Sequence, residues 1–170
     1  MRVSGLVQYS AQGDSRFLDI LQKMGCEVTW EDGDVIVRGP SQLRGGTFDC
    51  NSTPDLVPTL AAIAPLADSP VEIVNVANLR VKESDRLATV TSELRKLGAR
   101  VDEQPDALRI EPGWSSEPAT VETHNDHRIA MAFAIAGLAR GNVTIANEQV
   151  VSKSYPGFWK TLEAVLAENR

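Results

Sequence analysis

Ten consecutive residues, Asn78-Leu79-Arg80-Val81-Lys82-Glu83-Ser84-Asp85-Arg86-Leu87, carry six charged or amide side chains where a β-branched strand hands over to an amphipathic helix. Lys82 and Arg86 lie one helical turn apart, so a helix beginning near Glu83 would crowd both cations at its N-terminal end. That end carries partial positive charge and favours Asp or Glu. An anionic ligand such as a phosphate would remove the conflict. The competing interpretation is a solvated first turn in which Glu83 and Asp85 serve as local partners.

The elements that must position these residues belong to a chain of 170 residues, long enough for one domain with a substantial core. Hydrophobic residues make up 42% and charged residues 24%, a globular balance. A net charge of −6 disfavours nucleic acid as a partner and makes local cation clusters stand out. Cys26 and Cys50 sit in unrelated contexts without metal-ligand spacing and are expected to be half-buried free thiols. No run approaches the ~18 apolar residues of a membrane span, and no basic-then-apolar leader opens the chain. The expected location is the cytoplasm.

Val3 to Ser10 alternates as a strand would, and Gln12-Gly13-Asp14-Ser15-Arg16 supplies a turn and helix cap. Phe17, Leu18, Leu21 and Met24 follow at helical spacing up to Gly25, a helix stop. Two strands, Cys26 to Trp30 and Val35 to Val37, are joined by the hairpin signal Asp32-Gly33. The same pattern returns 73 residues later, where Leu21-Gln22-Lys23-Met24-Gly25 aligns with Leu94-Arg95-Lys96-Leu97-Gly98 and Val35 and Val37 align with Leu108 and Ile110. At that offset Thr47-Phe48-Asp49 falls on Thr120-Val121-Glu122, Pro54 on His127 and Asp55 on Arg128. One residue of slippage sets Val71 to Asn75 on Val143 to Asn147, and another equivalence sets Lys82 on Lys153. Such repetition marks a repeated supersecondary unit.

The complete unit, residues 46–113, reads strand, helix, strand, helix, hairpin. Its first helix starts at Thr53-Pro54 and is apolar on all sides to Ala67, as is the counterpart from Ile129 to Ala139. The strands at Val71, Val101, Leu108 and Val143 alternate apolar with polar residues, as expected of sheets with one wet face. The fold class is therefore α/β, with buried helices inside and sheets outside. Residues 1–45 form a partial unit and 114–170 a unit lacking its last hairpin, so the chain is expected to be one domain's portion of a larger protein.

Placed on the repeat, Asp55 and His127-Arg128 open the first helix of successive units, while Lys82-Glu83 with Arg86, and Lys153, open the second. A common surface would then gather two lysines, two arginines, a histidine and two carboxylates. Glu93 with Lys96, and Lys160 with Glu163 or Glu168, read as solvated helix-face charges. Trp30, Trp114 and Trp159 read as packing residues, and His124 as a polar loop residue. His124 and His127 lack a third ligand, so no metal site is expected.

Together NLRVKESDRL, Thr123-His124-Asn125-Asp126-His127-Arg128-Ile129-Ala130-Met131, Asn51-Ser52-Thr53-Pro54-Asp55, QGDSRF and Lys153-Ser154-Tyr155-Pro156 resemble the 5-enolpyruvylshikimate-3-phosphate synthase family. The resemblance spans nearly the whole chain in order. It implies an inside-out, barrel-like α/β domain of βαβαββ units, the enolpyruvyl transferase fold, and a second domain that closes over the substrates. The implied reaction transfers the carboxyvinyl group of phosphoenolpyruvate to the 5-hydroxyl of shikimate 3-phosphate, without metal or organic cofactor and with glyphosate as inhibitor. By family position Arg86, His127, Arg128 and Lys153 would bind phosphoenolpyruvate. Asp55, Asn78 and Lys82 would bind shikimate 3-phosphate, and Asp55, Glu83 and Lys82 would be catalytic. The resemblance also implies that these residues alone lack activity. The competing functions are transfer to UDP-N-acetylglucosamine and a non-catalytic, anion-binding repeat module.

Overall fold

Small apolar residues let two helices meet closely at the centre of the molecule, shown here by a computed structural model that describes residues 1–7 and 13–168. Helix α2 (Val57–Ile63) packs against α4 (His127–Arg140), with Ala62, Ala132 and Ala136 buried between them. Pro54 opens a short 3-10 turn leading into α2, and Pro65 lies in the 3-10 turn that follows it. Helix α3 (Arg86–Lys96) packs against α2 and buries Leu87, Val90 and Leu94. The core continues through Met24, Phe48, Ile73, Leu97, Ile110, Ile129 and Phe133.

Outside these helices lie the sheets. β4 (Gly46–Asp49) and β5 (Val71–Val74) run parallel with Gly46 opposite Val71. β6 (Val101–Glu103) and β7 (Leu108–Ile110) complete this sheet in the order β4-β5-β7-β6. Val71, Ile73, Leu108 and Ile110 point to the core, whereas Thr47, Glu72, Arg109 and Glu111 form a polar ladder on the outer face. β8 (Ala119–Val121) and β9 (Val143–Ile145) pair in parallel with Ala119 opposite Val143, as Gly46 lies opposite Val71. The expectation of buried helices and outer sheets is met.

The two glycine stops act alike. After α1 (Phe17–Lys23), Gly25 has φ +96°, Gly25 N–H donates to Gln22 O and Cys26 N–H to Leu21 O. After α3, Gly98 has φ +82°, with Gly98 N–H donating to Arg95 O and Ala99 N–H to Leu94 O. Asp32 (φ 52°) and Gly33 (φ 84°) close the hairpin of β2 (Glu27–Glu31) and β3 (Asp34–Arg38), whose other edge carries β1 (Arg2–Val3).

Several expectations change. The first strand covers only Arg2–Val3, and residues 8–12 of the predicted Val3–Ser10 strand and its turn lie outside the described residues. Gly13–Arg16 form a 3-10 turn, so α1 begins without a side-chain cap. Ile135 and Leu138 are 37% and 49% exposed, so α4 is buried all round only in its first half. Cys50 is fully buried, and burial raises its thiol pKa to about 11. No described helix is long and apolar enough to cross a membrane.

Candidate active site

Helix α3 starts three residues later than the sequence predicts. Asp85 is its N-cap and accepts the Ala88 N–H at 3.0 Å, making Arg86 the first helical residue and leaving Lys82 and Glu83 in the preceding segment. Lys82 directly follows the 3-10 turn Ala77–Val81, and Lys153 ends the 3-10 turn Glu148–Lys153. Helix α5 (Phe158–Glu168) begins five residues after Lys153, so neither lysine opens a helix. Residues 83–85 separate Lys82 from α3, and residues 154–157 separate Lys153 from α5.

Arg86 is the hub. Its side chain is 1% exposed and donates four hydrogen bonds to three carboxylates. Nε donates to Asp126 Oδ2 at 2.7 Å, Nη1 to Asp55 Oδ1 at 2.8 Å, and Nη2 to Glu83 Oε2 at 2.7 Å and Asp126 Oδ1 at 3.3 Å. A guanidinium has about five N–H donors, so little of this one is left for a ligand. The conflict between Arg86 and the helix dipole is thus resolved within the protein, and the anionic ligand inferred from it is not required at that position. Carboxylates around a buried cation are the solution a low-dielectric interior demands.

Around this hub the other cations gather. Arg128 Nη2 donates to Asp55 Oδ2 at 3.0 Å and Nη1 to the Asp55 carbonyl oxygen at 3.3 Å. Lys82 Nζ lies 3.5 Å from Asp55, and Lys153 Nζ 3.7 Å from Glu83. Their side chains are 30%, 33% and 57% exposed, so these three can still reach a ligand from the surface. The structure therefore brings Asp55, Lys82, Glu83, Arg86, Arg128 and Lys153 together, with His127 beside them at the start of α4. Asn78 does not join: it is exposed within the Ala77–Val81 turn.

The sequence expectation of two carboxylates omitted Asp126. It is fully buried, caps α4 by accepting the Arg128 N–H at 2.9 Å, and also lies 3.3 Å from Ser84 Oγ. An acidic residue immediately before an apolar helix is an N-cap signal, so its local role was legible although its distant partner was not. Glu93, expected to be a solvated helix-face partner of Lys96, keeps that partner but is 0% exposed, and it also accepts the Glu122 N–H and lies 3.0 Å from His124 Nε2. His124 is a polar loop residue as expected, in a turn and 42% exposed, with its Nε2 3.0 Å from Glu93 Oε1.

These contacts set the protonation states. Burial opposes ionisation of Asp55, but Arg128, Lys82 and Arg86 hold its pKa below the usual value. Burial likewise opposes ionisation of Asp126 and is outweighed by Arg86 and the Arg128 N–H. A hydrogen bond from its own backbone N–H, aided by Arg86 and Lys153, lowers Glu83 against burial and the nearby Asp126. Burial depresses His127, only partly offset by Asp126, so the imidazole is neutral near pH 7; its buried Nδ1 has no hydrogen-bond partner. The site thus presents ionised carboxylates, fixed cations and a neutral imidazole, a combination suited to an anionic substrate that exchanges protons.

The fold is the enolpyruvyl transferase fold. The enolpyruvyl transferase NikO from Streptomyces tendae shares the fold, with TM-score 0.70, 22% identity and coverage of 88% of this chain and 34% of that one. Within that class, residues 1–162 match the profile of EPSP synthase (3-phosphoshikimate 1-carboxyvinyltransferase), and the chain belongs to this family. A 3-phosphoshikimate 1-carboxyvinyltransferase of Syntrophobacter fumaroxidans is 54% identical over 155 residues, covering 91% of this chain and 37% of the relative. The protein of the same name from Nostoc punctiforme is 46% identical over 159 residues, covering 94% and 37%. EPSP synthase from Acinetobacter baumannii superposes with TM-score 0.78 at 30% identity over 86% of this chain and 38% of that one. The chain thus spans little more than a third of the length of these relatives, whose names disfavour transfer to UDP-N-acetylglucosamine.

Proposed function

We propose that these residues form one wall of an active site that transfers the enolpyruvyl group of phosphoenolpyruvate to the 5-hydroxyl of shikimate 3-phosphate and releases phosphate. The supporting observation is the convergence of Asp55, Lys82, Glu83, Arg86, Arg128 and Lys153 in one ion-paired cluster. Arg128 and Lys153, exposed enough to exchange protein carboxylates for ligand oxygens, would bind phosphoenolpyruvate with His127 at its phosphate. Arg86 would contribute its field and hold the carboxylates in place. Lys82 and Asp55 would meet the shikimate hydroxyls, and Asn78 the shikimate phosphate from outside the cluster.

The chemistry follows from two carboxylates under cationic control. The 5-hydroxyl oxygen bonds to C2 of phosphoenolpyruvate, its proton passes to Asp55, and Glu83 delivers a proton to the methylene carbon. Glu83 is ionised in the free site, and an arriving phosphate and carboxylate raise its proton affinity by like-charge repulsion. Elimination reverses these roles: a methyl proton returns to Glu83, the C–O bond to phosphate breaks, and the Asp55 proton leaves with phosphate. Glyphosate, which bears a carboxylate and a phosphonate, would compete for the same cations.

The domain assignment belongs to the same proposal: residues 1–170 make up most of one domain, with units near 1–45, 46–113 and 114–170, and the opposite wall lies on the remaining length of the family enzyme. The test is phosphate release from the two substrates, by these 170 residues alone and when joined to the rest of a family enzyme. Turnover only in the joined protein is expected. Turnover by the 170 residues alone would overturn the shared-site assignment, and none in the joined protein would overturn the activity.

A further inference from the structure

The buried Glu93 takes no part in the chemistry above, yet it and Asp126 are the two fully buried carboxylates among the described residues. It lies seven residues after Arg86 on α3, so the two side chains share one face of the helix about 10 Å apart along the axis. Both reach the loop between β8 and α4. Arg86 grips its far end at Asp126, while Glu93 grips its near end through the Glu122 N–H at 3.0 Å and His124 Nε2 at 3.0 Å. Lys96 Nζ donates to both oxygens at 2.9 and 3.0 Å, and Ser92 Oγ lies 3.1 Å from Oε1. An ionised carboxylate only accepts, so His124 carries its proton on Nε2.

The segment between the two grips needs holding. His124 and Asn125 have φ of +50° and +56°, and the Asp126 N–H donates to Thr123 O at 2.8 Å. This is a turn with two consecutive left-handed residues, neither of them glycine, a backbone conformation that L side chains seldom adopt. The next residues are Asp126, His127 and Arg128. Relaxation of the turn would swing all three relative to Arg86 and Asp55.

We propose that Glu93 is a positioning residue for phosphoenolpyruvate, holding the Thr123–Asp126 turn so that His127 and Arg128 face the ligand. The proposal rests on the enolpyruvyl-transfer assignment. Glu93→Gln keeps the shape but removes the charge and sets an amide N–H₂ against the Lys96 ammonium and against either the Glu122 N–H, which only donates, or His124 and Ser92, so the charge-assisted grip on the loop weakens.

The test is made in the full-length family enzyme carrying these residues, whose unsubstituted turnover first establishes the activity independently. In Glu93→Gln the KM for phosphoenolpyruvate should rise about tenfold while that for shikimate 3-phosphate moves less than threefold. The Arg86 Nε–H resonance, held by Asp126 in the parent, should broaden by exchange. His124→Ala leaves Glu93 its Lys96 and Glu122 bonds and alters a side chain that is 42% exposed, so folding is retained. It should raise the phosphoenolpyruvate KM about threefold, and His124→Gln, which restores a donor, should return it to the parental value. An unchanged phosphoenolpyruvate KM in His124→Ala, or equal rises for both substrates in Glu93→Gln, would overturn the proposal.

Discussion

Replacing Asp126 by asparagine removes one charge from the centre of the site with almost no change of shape. The partners Asp126 and Arg86 are 0% and 1% exposed, so their attraction is not screened by solvent. Removing one member of a buried ion pair costs roughly 3–5 kcal/mol. Arg86 retains Asp55 and Glu83 in the variant, which sets the expected loss at the lower end, about 3 kcal/mol. Asparagine can still cap α4, so little of the loss comes from the helix terminus. Urea unfolding followed by circular dichroism should show a lowered midpoint at constant slope. Glu83→Gln serves as the contrast: Glu83 is 33% exposed, and its loss should cost no more than about 1 kcal/mol. Combining Asp126→Asn with Arg86→Met should recover part of the loss, because the second substitution removes the stranded cation. A loss below about 1 kcal/mol in Asp126→Asn would refute the argument that the buried pair organises the site.

Arg128→Ala in the full-length family enzyme removes a cation proposed to bind phosphoenolpyruvate, and should cost about 2–5 kcal/mol in kcat/KM for that substrate; an unchanged KM and kcat would reject that role. Acidification should destabilise the fold in two stages, seen in the urea midpoint across a pH series. His127 has a lowered folded pKa, so its contribution is present above its unfolded value of about 6.5 and is lost as pH falls through the folded value. Asp55, Glu83 and Asp126 are lowered too, so theirs is present above about 4 and lost below it; a midpoint independent of pH from 7 to 3 would contradict both assignments. Gly98→Ala places a Cβ 2.6 Å from that of Ser115 at a φ of +82°, and should cost about 2–5 kcal/mol in unfolding free energy, with a neutral result refuting the stop assigned to Gly98.

Features set by neighbours in the chain were legible without coordinates. Asp32-Gly33 dictates its hairpin because both positions need positive φ, and Gly25 and Gly98 end their helices for the same reason. The 73-residue repeat and the apolar helices follow from pattern, and the motifs around Asp55, Lys82, Arg86 and Arg128 marked those residues as belonging together. What tertiary structure decided is which charges are buried. Arg86 meets Asp126 across 40 positions and Glu93 meets His124 across 31, and neither separation leaves a periodic trace. A charged residue on a helix defaults to solvent because burial alone would cost several kcal/mol. Only a partner brought from elsewhere in the fold reverses that preference. Glu93 therefore read as a surface residue, and Arg86 as a cation awaiting an external anion, until the fold supplied the groups that complete them.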